Sequence, residues 1–246
     1  MRMRVTFLGS GDAFGSGGRL QACLLVEGGG GRLLLDCGAS ALIGLRRAGV
    51  DPNGIDAVLL SHLHGDHFGG VPFLVLDGQL VSKRRRPLPV VGPPGTARRV
   101  TDAMEVLFPG SSRAERGFAL DLVDQAPERP WTLGALVATP YVVDHASGAP
   151  PFAWRLEADG KVLAYSGDTA WTEGLLRAAR GADLLIAEAY FHEKRVPYHL
   201  DFRTLESHLP EIGARRVVVT HMSAEMLGRA ASLPCEAAAD GLTLEV

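Results

Sequence analysis

The sequence predicts an α/β protein in which two mostly β layers are covered by helices, with residues 1–246 forming one domain. Three observations carry this. Short apolar runs bounded by Gly, Pro and Asp recur along the chain. Helical periodicity separates the later runs, whereas strands crowd the first third, which argues against a simple doubly wound sheet. The composition, 46% hydrophobic and 22% charged over 246 residues, is that of an ordinary soluble protein long enough to bury a full core. No repeat, low-complexity segment or linker divides the chain.

The elements follow in order. VTFLG (5–9) is a strand that runs into a glycine-rich stretch, GSGDAFGSGG (9–18). That stretch matches neither G-x-G-x-x-G nor G-x-x-x-x-G-K-[ST], so it reads as a sharp turn or a loop near an active site, not a phosphate cradle. CLLVE (23–27) and RLLLD (32–36) are strands, with GGGG (28–31) as their hairpin loop. Periodicity places a helix at 40–48, before the strand AVLLS (57–61). KRRR (83–86) reads as a solvated surface run that could attract an anionic substrate. PVVG (89–92) is a strand, followed by a helix at 95–107 and the strand ALVATPYVV (135–143). Strands KVLAYS (161–166), DLLIAE (183–188) and RVVVTH (216–221) then alternate with helices at 173–180, 203–213 and 223–231. Trp154 and Trp171 read as core or pocket wall, and His192 and His208 as surface or packing residues.

A net charge of −3 supplies no global field to draw the protein onto nucleic acid. Cys23, Cys37 and Cys235 form an odd set without close pairing, which points to a reducing compartment. MRMRVTFLGSGD lacks the long apolar region of a signal peptide, and no apolar run approaches the roughly 18 residues of a membrane span. A cytoplasmic location with no membrane contact is the expectation.

The strongest signal is LLSHLHGDHFGG (59–70), which sets His62, His64, Asp66 and His67 directly after a buried strand. Residues two apart do not share a helix face, so His62 and His64 converge only from a loop. Three imidazoles and a carboxylate suit a borderline-soft divalent ion, Zn²⁺ above all, with Mn²⁺ or Fe as alternatives. His145 in YVVDHASG, Asp168 in AYSGDTAW and His221 in VVVTHMS also follow apolar strands, where ligands from separate strands can meet.

This series resembles that of the metallo-β-lactamase superfamily, and LLLDCG (33–38), SHLHGDHFGGVP (61–72), YSGDT (165–169) and THMS (220–223) resemble motifs of its ribonuclease Z-like and phosphodiesterase branch. The resemblance implies a four-layer αββα sandwich and two metals. His62, His64 and His145 would hold one; Asp66, His67 and His221 would hold the other; Asp168 would bridge them. Asp36 would accept an N–H from a ligand histidine and fix its tautomer. Asp66 would also orient the nucleophile. Such relatives often form homodimers.

Two metals about 3.5–4 Å apart can share a hydroxide that exists at neutral pH, so hydrolysis is the expected reaction. An alkoxide leaving group still needs a proton, a task suited to histidine. By resemblance, His199 in VPYHLDFRTL, 22 residues before His221, would be that general acid, and Glu188 in LLIAEAYF its partner. The carboxylate would keep the imidazole protonated. The chain departs from the family pattern at Ala187, where histidine is usual, and at Leu200, where Ser or Thr is usual. Only 22 residues separate His145 from Asp168, mostly accounted for by two strands and a hairpin, where a long tRNA-gripping arm would fall. The favoured expectation is a dinuclear phosphodiesterase acting on a small or cyclic phosphodiester. A ribonuclease Z-type RNA 3′-end endonuclease is the alternative. Further alternatives are a lactonase, β-lactamase or thioesterase, or a metal-binding scaffold without activity.

Overall fold

A computed structural model describes residues 3–246. The strands are β1 (Arg4–Gly9), β2 (Cys23–Gly28), β3 (Gly31–Leu35), β4 (Ala57–Leu59), β5 (Leu88–Gly92), β6 (Leu120–Asp124), β7 (Trp131–Leu133), β8 (Leu136–Val142), β9 (Phe152–Ala158), β10 (Lys161–Tyr165), β11 (Leu184–Glu188), β12 (Val217–Thr220), β13 (Glu236–Ala237) and β14 (Thr243–Glu245). The helices are α1 (Ala41–Arg47), α2 (Gly65–Phe68), α3 (Val71–Leu80), α4 (Thr96–Leu107), α5 (Glu173–Ala179), α6 (Phe202–Ile212) and α7 (Ala224–Arg229).

Two seven-stranded sheets share one plan. The first runs β14-β1-β2-β3-β4-β5-β6 and the second β13-β12-β11-β10-β9-β8-β7. Each is antiparallel on one side and parallel on the other, the parallel runs being β3 to β6 and β10 to β13. The alternation in β1 and β2 buries Phe7, Leu24 and Val26 against Trp154, Leu156 and Ile186 of the opposite sheet. A second apolar layer joins Leu34, Val58 and Val90 to Leu45, Leu74 and Met104 of the helices. A third joins Leu185 and Val219 to Leu175, Phe202 and Met226. Three apolar layers require four layers of structure, the αββα sandwich expected.

All the strands and helices expected from the sequence form, to within two residues at their ends. The GGGG hairpin closes with Gly29 and Gly30 both at positive φ, as a two-residue primed turn demands. Helices α2 and α3 go beyond the sequence expectation. Apolar residues surround α3 (VPFLVLDGQL) on nearly every side, so no 3.6-residue stripe marks it. Strand β6 (LDLVD) is half-exposed throughout and lacks a continuous apolar run. KRRR needs correcting: Lys83, Arg85 and Arg86 are exposed, but Arg84 is 4% exposed and donates to the carbonyls of Ile55, Arg86 and Pro87, each at 2.8 Å. Among the described residues no helix is long and apolar enough to cross a membrane.

Candidate metal centre

The candidate residues collect where strands of both sheets end, the usual place for a site in parallel β structure. Asp36 follows β3, His62 and His64 follow β4, and His145 follows β8. Asp168 follows β10, Glu188 ends β11 and His221 follows β12. His62 and His64 lie on a loop, as their spacing requires, whereas Asp66 and His67 lie on the single turn of α2. Glycines clamp this region. A Cβ on Gly38 would come within 2.3 Å of the Asp66 carbonyl oxygen, and one on Gly70 within 2.2 Å of the Gly38 oxygen. The two motifs therefore dock backbone against backbone.

Asp36, fully buried, is the hub beneath the site. It accepts the Ser61 N–H (2.7 Å), the Ser61 hydroxyl (2.8 Å), the Tyr165 hydroxyl (2.7 Å) and His67 Nδ1–H (2.7 Å). Because the Ser61 hydroxyl donates to Asp36, it accepts from His62 Nδ1 at 3.0 Å. One carboxylate thus sets the tautomers of two histidines, leaving Nε2 of each free to face inward. His145 Nδ1 donates to the Tyr198 carbonyl at 2.9 Å, with the same result.

The inward atoms form two groups. His62, His64 and His145 make one; Asp66, His67, Asp168 and His221 make the other. In the second, His67 Nε2 lies 3.4 Å from His221 Nε2, 3.4 Å from Asp66 Oδ2 and 3.3 Å from Asp168 Oδ1. His221 Nε2 lies 3.3 Å from Asp66 Oδ2 and 3.4 Å from Asp168 Oδ2. Ligands about 2.0–2.1 Å from a tetrahedral zinc stand roughly 3.3 Å apart, so these spacings fit such an ion. In the first group His145 Nε2 is 3.0 Å from His64 Nδ1, and Asp168 Oδ2 reaches toward both His62 and His145 at 3.9 Å. That places Asp168 between the groups.

Two further observations test the fit. His62 Nε2 and Asp168 Oδ1 are buried without a hydrogen-bond partner, which a bound cation would relieve. The electrostatics also call for positive charge. Burial opposes ionisation of Asp66, yet hydrogen bonds from His221 and His67 hold its carboxyl well below the usual range. Burial likewise works against a charged His67, but Asp168 and Asp36 outweigh it and raise the imidazole. The donor set therefore fits two divalent cations.

Beside these groups, His199 Nδ1 bonds Glu188 Oε2 at 2.9 Å. Glu188 is fully buried and also accepts the Thr169 N–H. Burial, followed by the charge of Asp168, pushes its carboxyl up. His199 packs edge-on to His145, ring centroids 4.9 Å apart, and face-to-face with Tyr190 at 5.0 Å. Ala187 and Leu200, the departures from the family pattern, are both buried in the helix-facing apolar layer. The glycine-rich stretch does turn sharply and does reach the site: Ser10 O accepts the His221 N–H at 3.3 Å. His208 is a packing residue stacked on Trp171, centroids 3.7 Å apart, and His192 stacks on Phe202. The sequence reading missed Ser61, which looked like the last residue of a strand, and the Tyr198 carbonyl, which leaves no side-chain signal.

Known proteins resemble this chain in sequence and in fold. A family model described as a beta-lactamase superfamily domain matches residues 31–222. A ribonuclease Z from Mycolicibacterium paratuberculosis is 30% identical over 198 residues, covering 75% of this chain and 69% of its own. The structure of human tRNase Z, short form, superposes with a TM-score of 0.77 at 25% identity over 99% of both chains. A diphosphatase from the PhnP family superposes with a TM-score of 0.79 at 22% identity, over 100% of this chain and 98% of its own, a likeness of fold.

Proposed function

The chain belongs to the β-lactamase superfamily, a family of hydrolases, and on that premise we propose that it is a dinuclear metal-dependent phosphodiesterase acting on small or cyclic phosphodiesters. The observation that carries this reading is the His199–Glu188 pair, 2.9 Å apart and set against both ligand groups. Such an acid is needed where the leaving group is an alkoxide. A lactam- or lactone-cleaving relative, or a scaffold without activity, has no evident use for it.

His62, His64 and His145 would hold one metal, Asp66, His67 and His221 the other, and Asp168 would lie between them. Zinc is the metal this donor set suits best. Bound metals would polarise the phosphoryl group and make a nucleophile available from water at neutral pH. The chain's own residues supply the remainder. Asp36 orients His67 directly and His62 through Ser61. Asp66 orients the attacking group. Glu188 holds His199 by Nδ1, so Nε2 is the atom turned to deliver a proton to the leaving oxygen. A cytoplasmic homodimer belongs to the same proposal.

A second reading, an RNA 3′-end endonuclease, is favoured by the relatives named ribonuclease Z and by the likeness to tRNase Z. Against it, the stretch between His145 and Asp168 is largely taken up by β9, β10 and their hairpin. One panel separates the readings: bound-metal content, with turnover of an aryl phosphodiester, 2′,3′-cyclic nucleotides, precursor tRNA, a β-lactam and a lactone. Asp168→Ala should strip metal and activity together. Turnover of only the β-lactam or lactone, or less than one metal per chain, would sink the proposal; precursor tRNA as sole good substrate would replace it with the second reading.

A further inference from the structure

Among the described residues, the non-glycine positions with φ in the left-handed region are Asp36, Lys83, Glu128, Asp159, Tyr198 and His221. Lys83, Glu128 and Asp159 are exposed connections where such a conformation has little consequence. Asp36 and His221 sit in the candidate centre. Tyr198, with φ 67°, lends its carbonyl to His145 but is not itself a ligand.

Val196–His199 closes as a tight turn, with His199 N–H donating to Val196 O at 3.4 Å. Pro197 stands second and Tyr198 third, the pattern of a type II turn, whose third position favours Gly or Asn. A bulky aromatic there is a genuine outlier. Core packing does not explain it, because Tyr198 is 46% exposed. What the conformation delivers lies in the backbone. The Tyr198 carbonyl accepts His145 Nδ1–H at 2.9 Å, and the next residue, His199, bonds Glu188 at 2.9 Å. Backbone held in a disfavoured region is characteristic of functional sites.

We infer that Tyr198 is a positioning residue whose left-handed turn fixes His145 and His199 together, coupling the three-histidine metal group to proton delivery. The inference rests on the two-metal, general-acid reading above. It assigns the effect to the backbone at 198 and not to the phenol ring.

The test compares Tyr198→Val, which disfavours positive φ, with Tyr198→Gly, which accepts it. Each apo-protein is titrated with Zn²⁺ against a competing chelator. Turnover of an alkyl phosphodiester is then measured relative to a p-nitrophenyl ester. Tyr198→Val should weaken one of the two metals by about 10–100-fold, as loss of a ligand's supporting hydrogen bond does. It should also depress alkyl-ester turnover more than aryl-ester turnover. Tyr198→Gly should restore both to the wild-type level. If Tyr198→Val fails to fold, Tyr198→Thr, also β-branched, against Tyr198→Gly makes the same comparison. Unchanged zinc affinity in the Val or Thr variant overturns the inference, as does an equal loss in the Gly variant. Fewer than two zinc ions on the wild type sinks the underlying reading as well. Two on the wild type with no difference among variants removes this inference alone.

Discussion

Asp36→Asn isolates the charge of the hub, because Asn tolerates positive φ as well as Asp does. The carboxylate accepts the Ser61 N–H on Oδ1, and on Oδ2 the Ser61 hydroxyl, the Tyr165 hydroxyl and His67 Nδ1–H. An Asn side chain can turn its oxygen toward the group of three. Its NH₂ then faces the Ser61 N–H, donor against donor, and that buried donor loses its partner at about 1–3 kcal/mol. The other three bonds pass from a charged to a neutral acceptor, each weaker by about 1 kcal/mol. Relief of a buried charge offsets part of this, leaving a destabilisation of about 3–5 kcal/mol. That is a large share of the roughly 5–15 kcal/mol available to a folded domain. Zinc affinity should fall about 10–100-fold as the hydrogen bonds that orient His67, and His62 through Ser61, pass to a neutral acceptor and leave both ligands less basic. Urea unfolding of the chelated protein measures the first quantity and competition titration the second. A destabilisation under about 1 kcal/mol, with zinc binding intact, would refute the hub.

Three other substitutions probe separate parts of the molecule. His199→Ala should lower turnover of an alkyl phosphodiester by about 10²–10⁴-fold and of a p-nitrophenyl ester by much less; equal losses in steady-state assays would make His199 a binding residue. Arg84→Ala should destabilise by more than about 3 kcal/mol, since it leaves the carbonyls of Ile55, Arg86 and Pro87 without their buried donor, while Lys83→Ala stays within about 0.5 kcal/mol. Matching denaturation midpoints for the two would contradict this. Hydrogen bonds from Arg216 hold the Glu236 carboxyl below its usual range, so the pair stabilises the fold above about pH 4.3 and loses that contribution as pH falls through the depressed value. Both side chains are more than a third exposed, so Arg216→Met should cost at most about 0.5–1 kcal/mol at pH 7 and nothing near pH 2; a difference that persists in acid would point to lost packing instead.

How far the sequence could be read depended on whether a feature is carried by side chains in series. VTFLG, DLLIAE and RVVVTH declared themselves as strands because buried strands need continuous apolar runs. Helix α3 did not, since apolar side chains on every side erase the periodicity that marks a surface helix. The ligand residues were legible because each directly follows an apolar strand. The His199–Glu188 pairing was legible only through resemblance, because the two stand 11 positions apart across a change of element. Ser61 and Tyr198 act through a hydroxyl at a strand end and a backbone carbonyl, neither of which has a signature in composition or spacing. Arg84 was hidden by its neighbours: a run of four like charges conceals the one whose partners are carbonyl oxygens.

The division of the site between two sheets has a thermodynamic consequence. His62, His64, Asp66 and His67 come after a strand of the first sheet, and His145, Asp168 and His221 after strands of the second. Ligands from both therefore converge only when the sheets are packed, and bound metal should stabilise the packed state. Yet the sheets do not depend on metal to meet. Trp154, fully buried, crosses between them and donates Nε1–H to the Leu60 carbonyl at 3.0 Å, two residues before His62. Around it lies a continuous apolar layer from both sheets. Removing metal should thus leave the secondary structure intact and lower the stability by the linkage amount alone, about 4 kcal/mol for each site with free zinc at a thousand times its Kd. Far-UV circular dichroism with and without chelator, followed by urea unfolding of each form, measures both. Collapse of the circular dichroism signal on chelation would mean that metal, and not the apolar layer, holds the two sheets together.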